Sequence, residues 1–362
     1  MTHTYGSISR ELDSFVVRSL EPHVAIRMKA LFPGLPKVAS VLTFPATATN
    51  AADLAWFMDR YPLAAEPGVL DEIERGRTAF GAQQAEAGRI MLADYVAPSW
   101  AGLKPGMSVR PHQGRAAELV RLYGGVLVGD ETGKGKTYTA AATMLACDGA
   151  MPALVVCPPN LKRQWKKKIE EFTTLSCVVL ETTTPYAHAP ADVRIIGYTQ
   201  LAGWCDVLEL SGIGLIVFDE IHELRRGEGA DKGKAAYRLS AVARYRLGMT
   251  ATPIFNYGGE IWDVMRAIRP EVLGEKECFI REYCTFTGSA WSVKNPAALG
   301  AYMREQRAFV RETKDTPRPN VAVRELGSAF DSRYLEDIED LARDLALKAT
   351  TGAFTERGEA TR

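Results

Sequence analysis

The chain has 362 residues, of which 46% are hydrophobic and 24% charged, the make-up of an ordinary globular protein of roughly two domains. Lys plus Arg and Asp plus Glu are equal at 44 each, so no global positive field draws a polyanion and any nucleic-acid surface has to be a local patch. The polar start lacks the apolar centre of a signal peptide, and the longest apolar runs, such as 213–218, are far too short to span a bilayer, so no membrane partner is expected. Cys147, Cys157, Cys177, Cys205, Cys278 and Cys284 form no CxxC pair. That spacing argues against a zinc ribbon and fits reduced thiols in a cytoplasmic protein.

In chain order, residues 1–96 read as a mostly helical region. Residues 23–31 form a helix stopped at Pro33-Gly34, and 38–44 a short strand. Asn50 is placed to cap a helix carrying Leu54, Phe57 and Met58, with Asp53 three residues on. A long helix follows over 67–96, weakened by Gly76, Gly81 and Gly88. Residues 97–108 hold Pro98, Gly102, Pro105 and Gly106 and read as a linker. From 109 to about 269 short apolar runs at 125–129, 153–157, 177–180, 193–197, 215–218 and 245–249 alternate with helical segments. Runs of this kind are the signature of a buried parallel sheet, so the region is an α/β domain. Near the C-terminus, Tyr334, Ile338, Leu341 and Leu345 share one face of a helix over 331–347.

Three motifs carry chemistry. Gly129-Asp130-Glu131-Thr132-Gly133-Lys134-Gly135-Lys136-Thr137 lies between an apolar run and an Ala-rich helix. Glycines let backbone N–H groups wrap a phosphate chain, and the helix N-terminus adds partial positive charge. Lys136 is then placed for the β- and γ-phosphates and Thr137 for Mg²⁺. Asp130 stands where the general P-loop pattern has its first glycine. The second motif is Leu215-Ile216-Val217-Phe218-Asp219-Glu220-Ile221-His222. A strand ending in two acids sets Asp219 to hold Mg²⁺ and Glu220 to polarise the attacking water as general base. The third, Arg246-Leu247-Gly248-Met249-Thr250-Ala251-Thr252-Pro253, puts two small hydroxyls at a strand end, where they can bond the acidic motif.

The ordered series of Arg110-Pro111-His112-Gln113, the P-loop, Val155-Val156-Cys157-Pro158-Pro159-Asn160, Asp-Glu-Ile-His and Thr-Ala-Thr-Pro resembles superfamily-two helicase motifs Q, I, Ia, II and III. The Asp-Glu-Thr-Gly-Lys-Gly-Lys-Thr string is most similar to the Snf-type (Swi/Snf) ATPases. That similarity continues through Asn256, Glu260-Ile261-Trp262, Arg269-Pro270 and Arg311-Glu312-Thr313-Lys314, and covers about 109–330. The chain departs from the family pattern at Lys134 (usually Leu), Ile221 (usually Ala) and Ala251 (usually Gly). The resemblance implies a RecA-like parallel sheet flanked by helices, preceded by the helical accessory region, and binding of ATP with Mg²⁺. It places Gln113 at the adenine edge and Asp130, Gly133, Lys134, Gly135, Lys136 and Thr137 around phosphates. It also implies that His222, Thr250 and Thr252 couple nucleotide state to nucleic acid. Pro158, Pro159 and Asn160, with Tyr198, Thr199 and Gln200, would lie along double-stranded DNA. Trp204 is the nearest aromatic candidate for a wedge between bases.

The implied activity is ATP-driven translocation on duplex DNA, at the nucleoid if the source is bacterial or phage. A strand-separating helicase, a restriction-type motor and a nucleotide-gated DNA-binding module remain alternatives. Residues 160–172 put Leu161, Trp165, Ile169 and Phe172 on one helical face and Lys162, Arg163, Lys166, Lys167 and Lys168 outward. That basic face is either solvated or in contact with phosphates. Residues 1–96 are either an accessory domain like those preceding annealing-type Snf motors or a plain brace on the lobe. No second strand–helix series follows motif III. Residues 331–362 therefore read as a connector toward a second RecA-like lobe, supplied by the same gene product or by a partner chain.

Overall fold

The computed structural model describes residues 3–32, 35–36, 38–252, 258–288 and 291–313, all within one compact unit spanning Met1–Lys314. The expected helix at 331–347, and with it Pro33, Gly34, Pro253, Asn256 and Lys314, lies outside the described residues.

The N-terminal part opens with β1 (Ser7–Glu11), β2 (Ser14–Arg18), α1 (Pro22–Leu31), β3 (Leu42–Pro45), α2 (Ala48–Arg60), β4 (Ala64–Ala65) and α3 (Pro67–Ile90). Helices make up most of its regular structure, as expected. They pack on a small sheet of order β3-β2-β1-β4, in which β3 falls at the end of the strand expected over 38–44 and β1, β2 and β4 were not expected. Phe15, Val17, Val24, Met28, Leu54, Phe57 and Ile73 close its core. The cap of α2 is corrected from Asn50 to Thr47, which is extended (φ −94°, ψ 159°) and whose hydroxyl accepts from the Asn50 N–H at 3.2 Å. Gly76 is a packing glycine rather than a weak point, since a Cβ there would meet the Ala51 Cβ at 2.3 Å where α3 crosses α2.

Residues 97–108, expected as a linker, are pinned against the end of the basic helix: the Lys104 N–H donates to Phe172 O at 3.1 Å, and the Thr174 N–H to Gly102 O at 2.8 Å.

The second part contains α4 (Pro111–Tyr123), β5 (Gly125–Val128), α5 (Lys136–Ala146), β6 (Ala153–Cys157), α6 (Lys162–Phe172), β7 (Cys177–Val179), β8 (Val193–Gly197), α7 (Leu201–Glu209), β9 (Leu215–Asp219), α8 (Asp231–Val242) and β10 (Tyr245–Met249). There follow α9 (Gly258–Arg266), α10 (Pro270–Leu273), α11 (Lys276–Tyr283), the hairpin β11 (Cys284–Phe286) and β12 (Trp291–Val293), α12 (Pro296–Glu305) and β13 (Phe309–Val310). Seven strands pair in the order β13-β5-β10-β9-β6-β8-β7, every pair parallel. The six apolar runs became six of these strands, and the two-residue edge strand β13 went unread.

Because side chains alternate along a strand, the central strands feed two cores. Leu154, Val156, Ile216 and Phe218 face α7, α8 and α9, while Val155, Cys157, Leu215 and Val217 face α4, α5 and α6. Loops leaving the C-terminal ends of adjacent strands therefore gather along one edge of the sheet, where parallel α/β folds place ligands.

Candidate functional site

The phosphate-type loop follows β5 and runs into α5. Gly133 and Gly135 both take positive φ (+88° and +87°), and a Cβ on Gly135 would sit 2.8 Å from Gln113 Nε2. Glycine is required there for conformation and for space alike. Gln113 is buried at the start of α4; its Oε1 accepts from the Arg110 N–H at 3.0 Å, and its Nε2 donates to the carbonyls of Lys134 and Gly135, each at 3.4 Å. A cavity of 380 Å³ opens on this side, lined by Arg110, Gln113, Gly133, Gly135, Tyr138 and Phe172. The Lys136 ammonium donates to the Asp130 carbonyl at 3.0 Å. The Asp130 carboxylate is buried and accepts from the Glu312 N–H at 2.7 Å, tying the loop to the chain just past β13. Burial raises the Asp130 carboxyl, and the Glu312 bond holds part of that rise back.

Two strands away, Asp219 ends β9. It is buried, with Oδ2 accepting from Trp165 Nε1 at 2.8 Å and Oδ1 from the Glu220 N–H at 3.1 Å. Burial raises its carboxyl, the indole bond lowers it, Glu220 pushes it up and the charge of Lys136 is felt there as a lowering influence. Glu220 has φ +50° and ψ +53°, a left-handed conformation that a non-glycine residue adopts under strain, often at functional sites. Its Oε2 accepts from Thr250 Oγ1 at 3.3 Å and lies 3.3 Å from His222 Nδ1; Thr250 Oγ1 also accepts from the Thr252 N–H at 3.2 Å. Strand order β5-β10-β9 thus brings Lys136, Asp219, Glu220, His222 and Thr250 to one edge, with β10 as the bridge.

The segments read as a nucleic-acid path need correction. Pro159, Asn160 and Thr199 are exposed at the ends of the paired strands β6 and β8, and Pro158 is half-buried. Tyr198 and Gln200, by contrast, are buried. The Tyr198 hydroxyl donates to Asp219 O at 2.8 Å, and burial raises it well above the usual phenol range. Gln200 Oε1 accepts from the Gly197 N–H at 2.9 Å and from Lys162 Nζ at 3.2 Å. Lys162 is likewise not outward but buried, donating to Leu180 O at 2.8 Å as well. Its four-carbon stem follows the core and its head finds acceptors inside. Lys166 and Lys167 remain on the surface, paired along the helix with Glu170 and Glu171. Trp204 is in the core, donating to Thr182 O at 2.8 Å.

Trp165 and Glu312 touch the site, through Asp219 and Asp130, without having been singled out for it. Trp165 showed only as a member of an apolar helical face, and an indole N–H gives no sequence sign of its acceptor 54 positions away. The six cysteines are unpaired; burial pushes the thiols of Cys147, Cys157 and Cys177 up to about 12, which keeps them neutral packing groups. Among the described residues no helix is long and apolar enough to cross a membrane.

The parallel sheet with this loop and acid pair defines a RecA-like lobe of the superfamily-two ATPase type. Residues 52–317 match the SNF2-related domain, and the chain belongs to that family. It is 28% identical over 201 residues to the SWI/SNF-related matrix-associated actin-dependent regulator of chromatin subfamily A-like protein 1 homolog of Caenorhabditis elegans, an alignment covering 53% of this chain and 29% of that protein. It is 25% identical over 196 residues to the uncharacterized ATP-dependent helicase YqhH of Bacillus subtilis, covering 51% and 35%. With the DNA annealing helicase and endonuclease ZRANB3 of Bos taurus it shares 22% identity over 256 residues, covering 62% and 23%. A solved structure, the Sulfolobus solfataricus SWI2/SNF2 ATPase core in complex with dsDNA, superposes with a TM-score of 0.51 at 23% identity, over 61% of this chain and 47% of that one. That last likeness is one of fold. The matched regions span about a third or less of these curated relatives.

Proposed function

We propose that the chain is the ATP-binding first lobe of a motor that hydrolyses ATP to move along double-stranded DNA. The observation that carries this reading is the convergence of the Lys136 loop, Asp219, Glu220 and Thr250 on one sheet edge through adjacent strands. Lys136 would release the Asp130 carbonyl and turn to the β- and γ-phosphates, with the backbone N–H groups around Gly133 and Gly135 lining the phosphate chain. Gln113 would meet the adenine edge from the wall of its cavity, and Lys134 would stay at the loop. Glu220 would accept a proton from water, and Thr250, Thr252 and His222, already bonded to it or to one another, would report its state.

Among the described residues no cluster of three or more acidic, His or Cys groups is poised for a metal. A single carboxylate at Asp219 with the Thr137 hydroxyl suits Mg²⁺, which keeps several waters and takes the rest of its ligands from phosphates. Bound there, Mg²⁺ would neutralise charge on the transferring phosphoryl group. A second RecA-like lobe, from the same gene product or a partner chain, would close the site and add the arginines that stabilise that charge.

Pro158, Pro159, Asn160 and Thr199 would follow a phosphate backbone, giving grip without base specificity and an affinity that falls with salt. The buried position of Trp204 favours tracking along an intact duplex over unstacking it. The test is the ATP hydrolysis rate of the full-length gene product with and without duplex DNA, together with third-strand displacement from a triplex and unwinding of a fork. DNA-stimulated hydrolysis with triplex displacement and no fork unwinding supports the translocase. Vigorous unwinding without triplex displacement moves the assignment to a strand-separating helicase.

A further inference from the structure

A second cavity of 380 Å³ lies on the other side of the phosphate-type loop, and four arginines, Arg115, Arg304, Arg307 and Arg311, line it with His112, Asp130 and Glu312. Arg115 is committed to the end of α3, donating to Ile90 O at 3.2 Å and Leu92 O at 2.7 Å. The other three guanidinium groups make no side-chain hydrogen bond or ion pair among the described residues. Of the acids, Asp130 is engaged by the Glu312 N–H, and Glu312 lies 4.0 Å from Lys134. Cationic donors are therefore in excess around a half-open space of ligand size, with Arg304 and Arg311 exposed at its rim and Arg307 partly buried.

Arg307 makes the cavity unusual. Its Nε is buried without a hydrogen-bond partner, a costly state for a charged donor. Its backbone is also strained, at φ +53°. It occupies the left-handed position after α12, with its own N–H bonded to Arg304 O at 3.0 Å and the Ala308 N–H to Met303 O at 2.9 Å. Glycine is the residue that ends helices in this way without strain. Arg269 fixes the same turn by donating to Gln306 O at 3.0 Å. The turn thus holds an arginine where a glycine would be easier, and aims a buried donor with no acceptor.

We propose that this cavity binds a small oligophosphate anion, with Arg304, Arg307 and Arg311 as its donors. Planar guanidinium groups brought to one cavity from three backbone positions suit the many oxygens of a phosphate chain, whereas one carboxylate satisfies one or two of them. The site is separate from the proposed DNA path. In the sheet, β13 stands four strand spacings from β6, roughly 19 Å from the Pro158 end of the sheet. It adjoins the nucleotide loop through Asp130, which lines the cavity and whose carbonyl holds Lys136.

The experiment is calorimetric titration of sodium tripolyphosphate into the chain at fixed ionic strength. Wild type is compared with Lys136→Ala, Arg307→Gly and Arg311→Gln, with melting temperature measured for each. Binding should persist within about threefold in Lys136→Ala, because the P-loop lysine is not a donor here. It should weaken about tenfold or more in Arg307→Gly and Arg311→Gln, each losing a charge-assisted contact. Arg307→Gly should melt at the same or a higher temperature, since glycine relieves the left-handed strain, so its loss of binding would not be a loss of fold. Binding abolished by Lys136→Ala and untouched by the two arginine variants would show that the anion is captured at the P-loop, and would overturn the proposal. So would the absence of binding to wild type.

Discussion

The N-terminal part and the nucleotide-type lobe are packed by different means. Every buried polar or charged residue among those described falls between Gln113 and Arg269, and none falls in the first 96 residues. The lobe buries Gln113, Asp130, Lys162, Gln200, Asp219 and Thr250 behind its loops and satisfies them with backbone groups and neighbouring side chains. The N-terminal part closes on Phe15, Leu54, Phe57 and their neighbours and leaves its charges outside. Buried polar groups must be paired to be tolerated, so a region that keeps many of them keeps them for geometry rather than for stability. The lobe is built to hold groups in position, and the N-terminal part to hold itself together.

The comparison breaks most sharply at the loop. Lys136→Ala should weaken ATP-analogue binding about 100-fold or more, as removing one partner from a desolvated charge pair commonly costs 2–5 kcal/mol. Glu220→Gln should spare binding and reduce hydrolysis by about 10²–10⁴, the usual worth of a positioned base. Equilibrium binding and steady-state turnover, measured on the same variants, separate the two. Undiminished affinity in the Lys136 variant would remove the nucleotide site from this loop.

Phe57→Ala is the counterpart across the divide. Phe57 is almost fully buried, and its truncation should destabilise the N-terminal part by about 3–5 kcal/mol. Nucleotide affinity should stay within about twofold, since no buried polar contact of the lobe involves α2. Denaturant unfolding and analogue binding test this together. A parallel fall in affinity would show that the two regions are one energetic unit, which the contacts of α3 with α4, such as Gln83 Nε2 to Leu122 O at 2.7 Å, would then transmit.

Trp165→Phe sharpens the picture inside the lobe. It keeps the packing of α6 and deletes the indole bond to Asp219. Partners that orient a metal-binding group are commonly worth 10–100-fold in metal affinity, so the Mg²⁺-dependent gain in nucleotide binding should fall by about that factor. Binding measured without Mg²⁺ should hardly change. Equal losses in both conditions would mean that Trp165 is a packing residue only.

These differences also explain what could be read from the residues. Interior parallel strands are continuous apolar runs, so β5, β6, β8, β9 and β10 were visible, and with them the loops at their ends. Lys136, Asp219 and Glu220 stand out in the sequence because the chemistry proposed for them would need fixed residue types at fixed spacing, and the sheet brings all three to one edge. The strands β1 and β2 mix Ser, Arg and Glu with a few apolar residues, and β13 is two residues long. None of these carries enough periodicity to announce itself. Residue type alone points Lys162, Tyr198 and Gln200 to the surface. Their burial depends on acceptors such as Leu180 O and Asp219 O that only the folded sheet brings near.

The smallest expected effect settles a correction made by the fold. Asn50 is the kind of residue that caps a helix, and so is Thr47; the two are three positions apart. In the structure Thr47 is extended and its Oγ1 accepts from the Asn50 N–H, satisfying one of the donors that the first turn of α2 leaves open. Asn50 lies inside that first turn, and its Nδ2 donates to Pro45 O at 2.7 Å on an exposed surface. Thr47→Ala should therefore destabilise the N-terminal part by about 1 kcal/mol. Asn50→Ala should cost about half of that or less, because a solvent-facing amide exchanges its partner for water. Urea denaturation of both variants, followed through the N-terminal transition, ranks them. If Asn50→Ala proves the more damaging, the helix begins later than the structure places it and the cap returns to Asn50. Among the described residues the N-terminal part buries no polar side chain, so its polar groups, this cap among them, act at or near the surface, and that is where the two parts of the molecule differ most.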